Sequence, residues 1–365
     1  MSYELDFMPV GEKSSSGDAI LFRFWDKENG ETSEDQKICL IDGGYAENGK
    51  AIEEHAKKYY NTTHINLVIS THPDADHIGG LSYVLENMEV DELWIHRPWL
   101  MTDGLSDCFE DGRITDNSLA RKIKEGLSKA YDLVELAESK GITIKDPFTG
   151  ETAFDNTIRV LSPSEDYYKD LLKDFRCTPE PANEENKSML QKALEVLSKI
   201  IPAEWGIDYL GNNPETTAEN NSSVVLLLRT DNEYCLLTSD AGVSALNYAA
   251  DELECLGLNS NCAAYIQVPH HGSKHNVDSN LLNRLIGDSI KETDTASKSG
   301  IVSISKESDG KHPSKAVLNA FKQRGVNVCK TKGSNLVHRS SDIPVREGYS
   351  TAQSYDFFDK LEVDA

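Results

Sequence analysis

Cysteine is scarce in this chain, and no two cysteines form a C-x-x-C pair. Seven cysteines are scattered irregularly over 365 residues, which predicts reduced, mostly structural thiols. No apolar run approaches the roughly 18 residues that a membrane-spanning helix needs. The first residues, MSYELDFMPVG, also lack the basic segment and apolar core of a secretion signal. These absences predict a cytoplasmic protein without a membrane partner.

Positive charge is also scarce. The chain has 37 Lys and Arg against 61 Asp and Glu, a formal net charge of -24. It therefore lacks the basic surface typical of nonspecific nucleic-acid binders, which disfavours nucleic acid as a partner without excluding it. An anionic substrate would need local cations, and metal ions held in a cleft can supply them. No glycine-rich phosphate-binding loop is visible in the sequence.

Strand-like runs and helix-like stretches alternate at both ends of the chain. Apolar runs such as AILFRFW, ICLI and INLVIS precede residue 99, whereas SVVLLLRT, YCLLTSD, AAYIQVP, GIVSIS and VNVCKT follow residue 219. Two β-rich halves of this kind can face each other as a sandwich with helices outside. We therefore predict an α/β (α+β) sandwich.

Residues 99–219 are more polar and mostly helical in pattern. An apolar stripe at helical spacing ends at Gly141 and consists of Leu119, Ile123, Leu127, Val134 and Ala137. A second amphipathic stretch runs from Glu184 to Ile201. The predicted organisation is one domain over residues 1–339 that contains this helical insertion. A polar C-terminal tail, either docked or loose, follows over residues 340–365.

The segment THPDADHIGG, residues 71–80, places four potential metal ligands directly after the apolar run INLVIS. They are His72, Asp74, Asp76 and His77. A loop at a strand end can direct several side chains toward one point, and imidazole with carboxylate suits zinc, manganese or iron. The alternative is a polar loop in which Asp76 caps the following helix.

Two later strand ends carry similar residues. Asp240 ends YCLLTSD, where it is either a turn residue or a metal ligand at the same sheet edge. His270 and His271 follow the next strong strand pattern in VPHHGS, with Gly272 permitting a sharp turn. Adjacent histidines at a strand end are candidates for ligands or catalytic groups.

The order of these motifs resembles the metallo-β-lactamase-fold domain of ComEC-type competence proteins. The resemblance covers nearly everything outside the insertion and the tail, and it rests on ELDFMPVG, GDAILFRF, LIDGG, STHPDADHIGG, NNSSVVLLL, LLTSDAG, VPHHGS and KHPS. It implies a four-layer αββα sandwich with the active site along one edge. The H-x-D-x-D-H and VPHHGS motifs are the specific ones.

Carried over by matching motifs, the resemblance implies a site for one or two divalent transition-metal ions, zinc or manganese. His72 and Asp74 would belong to one metal position, and Asp76 and His77 to the second. Asp240 would bridge the two positions. Of the adjacent pair, His271 matches the final metal histidine, and His270 is a neighbouring ligand or catalytic group.

The family pattern also implies supporting residues. Asp42, in LIDGG, would orient the metal loop through hydrogen bonds. The third metal histidine of related hydrolases is missing, and Asn221 and Ser222 occupy that region. His312, in KHPS, either protonates a leaving group, holds a phosphate oxygen or is a surface residue.

The predicted reaction is hydrolysis by a metal-activated water, with Asp76 and Asp240 holding the nucleophile and His270 or His312 assisting departure. The resemblance implies a phosphodiesterase or nuclease acting on nucleic acid or a nucleotide. One alternative is hydrolysis of a small ester, thioester or lactone. Another is a metal-stabilised scaffold whose helical insertion binds a protein partner.

Overall fold

The computed structural model describes residues 1–13, 15–28, 35–109, 111, 113–179, 199–231, 233–307, 310 and 312–363. Within these residues the strands are β1 (Ser2–Phe7), β2 (Ile20–Trp25), β3 (Lys37–Ile41), β4 (His64–Ile69), β5 (Glu89–Trp94), β6 (Thr143–Lys145), β7 (Thr152–Ala153), β8 (Ile158–Ser162), β9 (Lys199–Pro202), β10 (Val225–Arg229), β11 (Tyr234–Leu237), β12 (Ala263–Gln267), β13 (Lys298–Val302), β14 (Val326–Lys330), β15 (Leu336–Arg339) and β16 (Lys360–Val363). The α-helices are α1 (Asn48–His55), α2 (Ala75–Ile78), α3 (Leu81–Asn87), α4 (Asp116–Gly126), α5 (Ser128–Lys140), α6 (Glu165–Leu172), α7 (Ala218–Asn221), α8 (Val243–Cys255), α9 (Ser279–Ile286) and α10 (Lys315–Gln323).

Two seven-stranded sheets share the same pattern of pairing. The first has the order β15-β1-β2-β3-β4-β5-β6, and the second has the order β14-β13-β12-β11-β10-β8-β7. In the first sheet, β15, β1, β2 and β3 pair antiparallel, and β4, β5 and β6 continue from β3 as parallel strands. In the second sheet, β7, β8, β10 and β11 pair antiparallel, and β12, β13 and β14 continue from β11 as parallel strands. Because β3 corresponds to β11 and β4 to β12, the loops that follow them occupy equivalent positions. This internal correspondence is not visible as a sequence repeat.

Strand alternation explains why both faces of each sheet are buried. In β4, Leu67 faces the opposite sheet and Val68 faces the helices. In β10, Leu226 likewise faces the opposite sheet and Leu227 faces the helices. The apolar runs are therefore continuous, as expected for strands covered on both sides. One core lies between the sheets and another lies between each sheet and its helices. The predicted αββα sandwich is confirmed.

Residues 99–219 differ from the expected helical insertion. The apolar stripe does form helices, α4 and α5, which are separated at Leu127. Helix α5 ends at Lys140, and Gly141, which follows it, has a left-handed φ of 70°. However, β6 extends the first sheet, and β7 and β8 extend the second. These short strands lack the long apolar runs that marked the others, so their pattern was missed. Most of the predicted stretch Glu184–Ile201 lies outside the described residues, and residues 199–202 form β9.

The segment after residue 339 is docked onto the domain. Arg346 forms ion pairs with Glu4 and Asp6, and the Tyr355 amide donates to the Val328 carbonyl at 2.8 Å. Further along, β16 pairs antiparallel with β9. No helix in the described ranges is long and apolar enough to cross a membrane.

Candidate metal centre

The predicted ligands come from strand ends that meet at one edge of the sandwich. Strand β4 leads into the loop with His72 and His77, β11 leads to Asp240, and β12 leads to His270 and His271. Strands β3 and β4 of the first sheet are parallel, and so are β11 and β12 of the second sheet. Within each sheet, the carboxyl ends of the two strands therefore lie at the same edge. This arrangement places side chains from distant parts of the sequence around a common point.

The Nε2 atoms of four histidines surround the carboxylate of Asp240. Their distances to the nearest Asp240 oxygen are 3.9 Å for His72, 3.5 Å for His77, 3.5 Å for His270 and 3.8 Å for His271. Asp240 itself is buried. The carboxylate is therefore the centre of the site, as expected for a residue shared between ligand groups.

Asp42 and Thr71 set the orientation of the first two rings. His77 Nδ1 donates to Asp42 Oδ2 at 2.7 Å. Thr71 Oγ1 donates to the same oxygen at 2.7 Å and accepts from His72 Nδ1 at 3.1 Å. With both Nδ1 atoms bonded in this way, each ring directs its Nε2 toward Asp240. This is the orientation that a histidine needs when Nε2 binds a metal.

His270 and His271 are held in the left-handed region, with φ of 43° and 54°. Such conformations cost about 1–3 kcal/mol each and persist only when the surroundings enforce them. His271 Nδ1 donates to the Ser303 carbonyl at 2.9 Å. His270 Nδ1 donates to Asn276 Oδ1 at 3.0 Å, and Asn276 is fixed by its own bond to the Asp240 carbonyl. Both Nε2 atoms consequently face Asp240, and both rings have the geometry of a ligand.

The atoms that face the centre lack hydrogen-bond partners among the described residues. They are Nε2 of His72, His77 and His271 and Oδ1 of Asp240. A buried polar atom without a partner costs about 1–3 kcal/mol. Two ligand atoms about 2.1 Å from a tetrahedral zinc ion are about 3.4 Å apart, close to the 3.5–3.9 Å separations found around Asp240. The residues therefore fit a divalent transition metal.

The electrostatics of the site also favour a central positive charge. Burial lowers the pKa of His72 to about 4. Burial would lower the pKa of His77 as well, but Asp240 and Asp42 outweigh it and raise this pKa well above its usual value. For Asp240, burial is outweighed by the surrounding histidines, which hold its pKa well below the usual range. An ionised carboxylate thus stands among imidazoles, where a divalent cation would be stabilised.

The two aspartates of the first loop have different surroundings. Asp76 Oδ2 lies 4.0 Å from His77 Nε2, and Asp76, His77 and His271 form one group with metal-ligand spacing. Asp74 instead forms an ion pair with Arg176 at 2.5 Å. Asp74 belongs to none of the metal-ligand groups found in the described part of the chain. The structure therefore brings Asp76 into the centre and places Asp74 at its margin.

The residues expected in place of a third histidine are shifted by one position. Asn220, not Asn221, contacts a site residue, with Nδ2 lying 3.3 Å from His270 Nδ1. Ser222 Oγ donates to the Glu219 carbonyl at 2.6 Å and so completes the end of α7. Asn221 Oδ1 is buried without a partner among the described residues. Sequence alone could not decide which asparagine of the pair faces the site.

Asp18 is a site residue that the sequence analysis missed. Asp18, His77 and Asp240 form a group with metal-ligand spacing. Asp18 Oδ2 accepts from Gln267 Nε2 at 2.8 Å, whereas Oδ1 is buried and has no hydrogen-bond partner among the residues that the structure describes. Its only signal was its place in the GDAILFRF motif, where an aspartate before a strand is usually a turn residue. Burial raises the pKa of Asp18.

His312 lies next to the turn that carries His270 and His271. The Ser314 amide donates to the Gly272 carbonyl at 2.9 Å, and a Cβ added to Gly272 would meet the Pro313 Cβ at 2.4 Å. The KHPS segment therefore packs directly against the VPHHGS turn. This contact brings His312 near the edge of the site.

Purified protein is expected to contain one or two divalent transition-metal ions per chain. Elemental analysis would measure this, and a His72→Ala, His77→Ala double variant should lose most of the metal. His64→Ala is the matched control, because His64 is an exposed histidine paired with Asp91 at 2.8 Å. Wild-type protein refolded with zinc or manganese that holds well under one equivalent would contradict the site.

Comparison with known proteins gives a match to a family model over part of the chain. Residues 32–113 match the family model of the metallo-β-lactamase superfamily, and this span includes Asp42, His72 and His77. A search of curated proteins returns no match. The match to the family model covers the first metal loop and the strands on either side of it.

Among solved structures, the chain is similar to a Thermotoga maritima protein assigned to the metallo-β-lactamases. The two share 14% identity with a TM-score of 0.32, over 66% of this chain and 79% of that one. The metallo-β-lactamase SMB-1 with mercaptoacetic acid is also similar, with 7% identity, a TM-score of 0.30, and coverage of 74% and 81%. At these scores the structural likeness carries no argument about activity. On the sequence match, residues 32–113, which carry the first metal loop, are similar to the metallo-β-lactamase superfamily.

Proposed function

We propose that this protein is a metal-dependent hydrolase that cleaves phosphodiester bonds in short single-stranded nucleic acid or in nucleotides. The ring of four histidine Nε2 atoms around Asp240 is the observation that carries the hydrolase assignment. The choice of a phosphodiester is supported by the ComEC-like order of the sequence motifs. The acidic composition favours small substrates over long duplexes.

His72, His77, His271, Asp76 and Asp240 would hold the metal. A divalent zinc or manganese ion bound there would lower the pKa of a water molecule and stabilise negative charge on a phosphoryl oxygen. The other groups of the chain prepare this site. Asp42, through His77 Nδ1, and the Ser303 carbonyl, through His271 Nδ1, fix the rings before substrate arrives.

The exposed side of the site is where a substrate would enter. The side chains of His270 and Asp76 are 29% and 27% exposed, whereas His72 and His77 are fully buried. The bond between His270 Nδ1 and Asn276 Oδ1 orients this ring, and Nε2, which lies toward Asp240, is the atom that would protonate a leaving group. His312, beside the same turn, is a second candidate for protonating the leaving group.

The expected result is metal-dependent hydrolysis of bis(p-nitrophenyl) phosphate and of dinucleotides, at rates that compare well with those on long duplex DNA. The reason is that a net charge of -24 leaves few phosphate contacts for a long duplex. Assays with thioester and lactone substrates provide the comparison. Activity on thioesters or lactones, with none on phosphodiesters of any length, would replace this proposal with the small-ester alternative.

A further inference from the structure

A cavity of about 560 Å³ lies beside the metal residues. Its walls come from the first metal loop, the junction of α4 and α5, and the segment after α6, and they include Asp74, Asp76, Ser128, Lys129, Arg176 and Glu219. Its volume is within the range of small-molecule sites. Because Asp76 belongs to both the cavity and the metal-ligand group, a ligand in the cavity would adjoin the metal centre.

Glu219 fixes the position of Arg176 at the cavity wall. The Glu219 side chain is 2% exposed, and its Oε1 accepts from the Arg176 amide at 2.7 Å and from Nε at 3.0 Å. The neighbouring Cys177 is packed against α4, since a Cβ added to Gly126 would lie 2.2 Å from the Cys177 Cβ. The guanidinium is therefore held in place at the mouth of the cavity, although its side chain is 63% exposed.

The cavity contains cations that an anionic ligand can use. Lys129 is exposed in the first turn of α5 and forms no ion pair with any described residue. Arg176 pairs with Asp74, but partly exposed pairs of this kind contribute little and can be exchanged. In a protein of net charge -24, a phosphate group needs such local cations. Arginine is well suited to the role, because its planar fork matches phosphate oxygens.

We propose that this cavity binds the nucleotide unit next to the bond that is cleaved, with Arg176 and Lys129 as the cations for its phosphate. The inference rests on the proposed function, since it identifies the ligand as part of a phosphodiester substrate. Arg176 thereby becomes a specificity residue, and Glu219 positions it. The cavity wall also carries the carboxylates of Asp74, Asp76 and Glu219. They would repel an anionic ligand whose charge is not paired with Arg176 or Lys129.

The test is calorimetric titration of the full-length protein with adenosine 5′-monophosphate, with inorganic phosphate and with adenosine. Arg176→Gln is expected to weaken binding of the monophosphate at least 10-fold and to leave adenosine unaffected. Arg284→Gln is the matched control, because Arg284 also pairs with two carboxylates, Asp251 and Glu254, outside the cavity. Unchanged monophosphate affinity in Arg176→Gln, relative to Arg284→Gln, would overturn the proposal.

Lys129→Ala decides the question if Arg176→Gln does not fold, since Lys129 is exposed and unpaired within the described residues. It is expected to weaken monophosphate binding about 3- to 10-fold, and an unchanged affinity would again overturn the proposal. Because binding is measured without turnover, its outcome is independent of the nuclease assay. A protein that cleaves phosphodiesters but binds the monophosphate equally well in both variants would refute the cavity proposal alone.

Discussion

Replacing Asp240 by asparagine is expected to weaken metal binding by more than about 100-fold and to remove hydrolytic activity. Loss of a group that only orients a ligand already costs about 10–100-fold, and Asp240 lies within 4 Å of four histidine Nε2 atoms. Asparagine keeps the shape of the side chain but removes its charge. Metal titration, hydrolysis of bis(p-nitrophenyl) phosphate and circular dichroism would measure metal affinity, activity and folding.

Asp91→Asn is the matched control for this substitution. Asp91 also pairs with a histidine, His64, at 2.8 Å, but its side chain is 52% exposed and it contacts the first residue of β4, at the opposite end of the strand from the metal loop. The control should retain wild-type metal content and activity. An Asp240→Asn variant that folds and still binds and hydrolyses like wild type would refute the central role of this carboxylate.

Replacing Arg346 by alanine is expected to lower the free energy of unfolding by about 3 kcal/mol. Arg346 pairs with Glu4 and Asp6, two carboxylates that are 3% and 0% exposed. Removing one partner from a buried ion pair costs about 3–5 kcal/mol, because a charge is left without compensation. The lower end applies here, since Glu4 keeps Arg23 and Asp6 keeps His55. Urea denaturation would measure the change.

The same network predicts a pH dependence. Burial would raise the pKa of Asp6, but hydrogen bonds from His55 and Arg346 outweigh it, so the pKa lies below the usual 3.8. A lowered folded-state pKa gives stability that is present above the unfolded pKa and is lost as pH falls through the folded one. The difference between wild type and Arg346→Ala should therefore shrink on acidification below about pH 4.

Arg113→Ala is the control for Arg346, because Arg113 forms an exposed pair with Asp111. Exposed pairs of this kind contribute little, so this variant should unfold like wild type. Equal denaturation midpoints for Arg346→Ala and Arg113→Ala would show that the buried network does not stabilise the domain.

The candidate metal-binding residues could be predicted from the sequence because each follows a strand, and a strand end can be recognised within a short segment. Apolar runs of strand length followed by His72, Asp240 or His271 identify both the donor atoms and the edge of the sheet at which they lie. The side-chain period of a strand does not depend on its partners. The sandwich and the position of the candidate centre could therefore be predicted without knowledge of the tertiary contacts.

Other parts of the site depend on neighbours that are distant in the sequence. Arg176 meets Asp74 across 102 residues, and Gln267 meets Asp18 across 249. Nothing in the local pattern of these residues distinguishes them from surface or turn residues. The docked C-terminal segment was undecided for the same reason, since Arg346 meets Asp6 across 340 residues.

The sequence by itself determined which side chains can bind a metal and that they stand at strand ends, because residue type and strand periodicity are properties of short segments. Only the tertiary structure decided how these side chains are oriented. Asp42 and Ser303 fix the ring tautomers, Asn220 instead of Asn221 faces His270, and Asp74 turns toward Arg176. The reason is that hydrogen bonds and ion pairs form only when the packing of the two sheets brings distant donors and acceptors within about 3 Å.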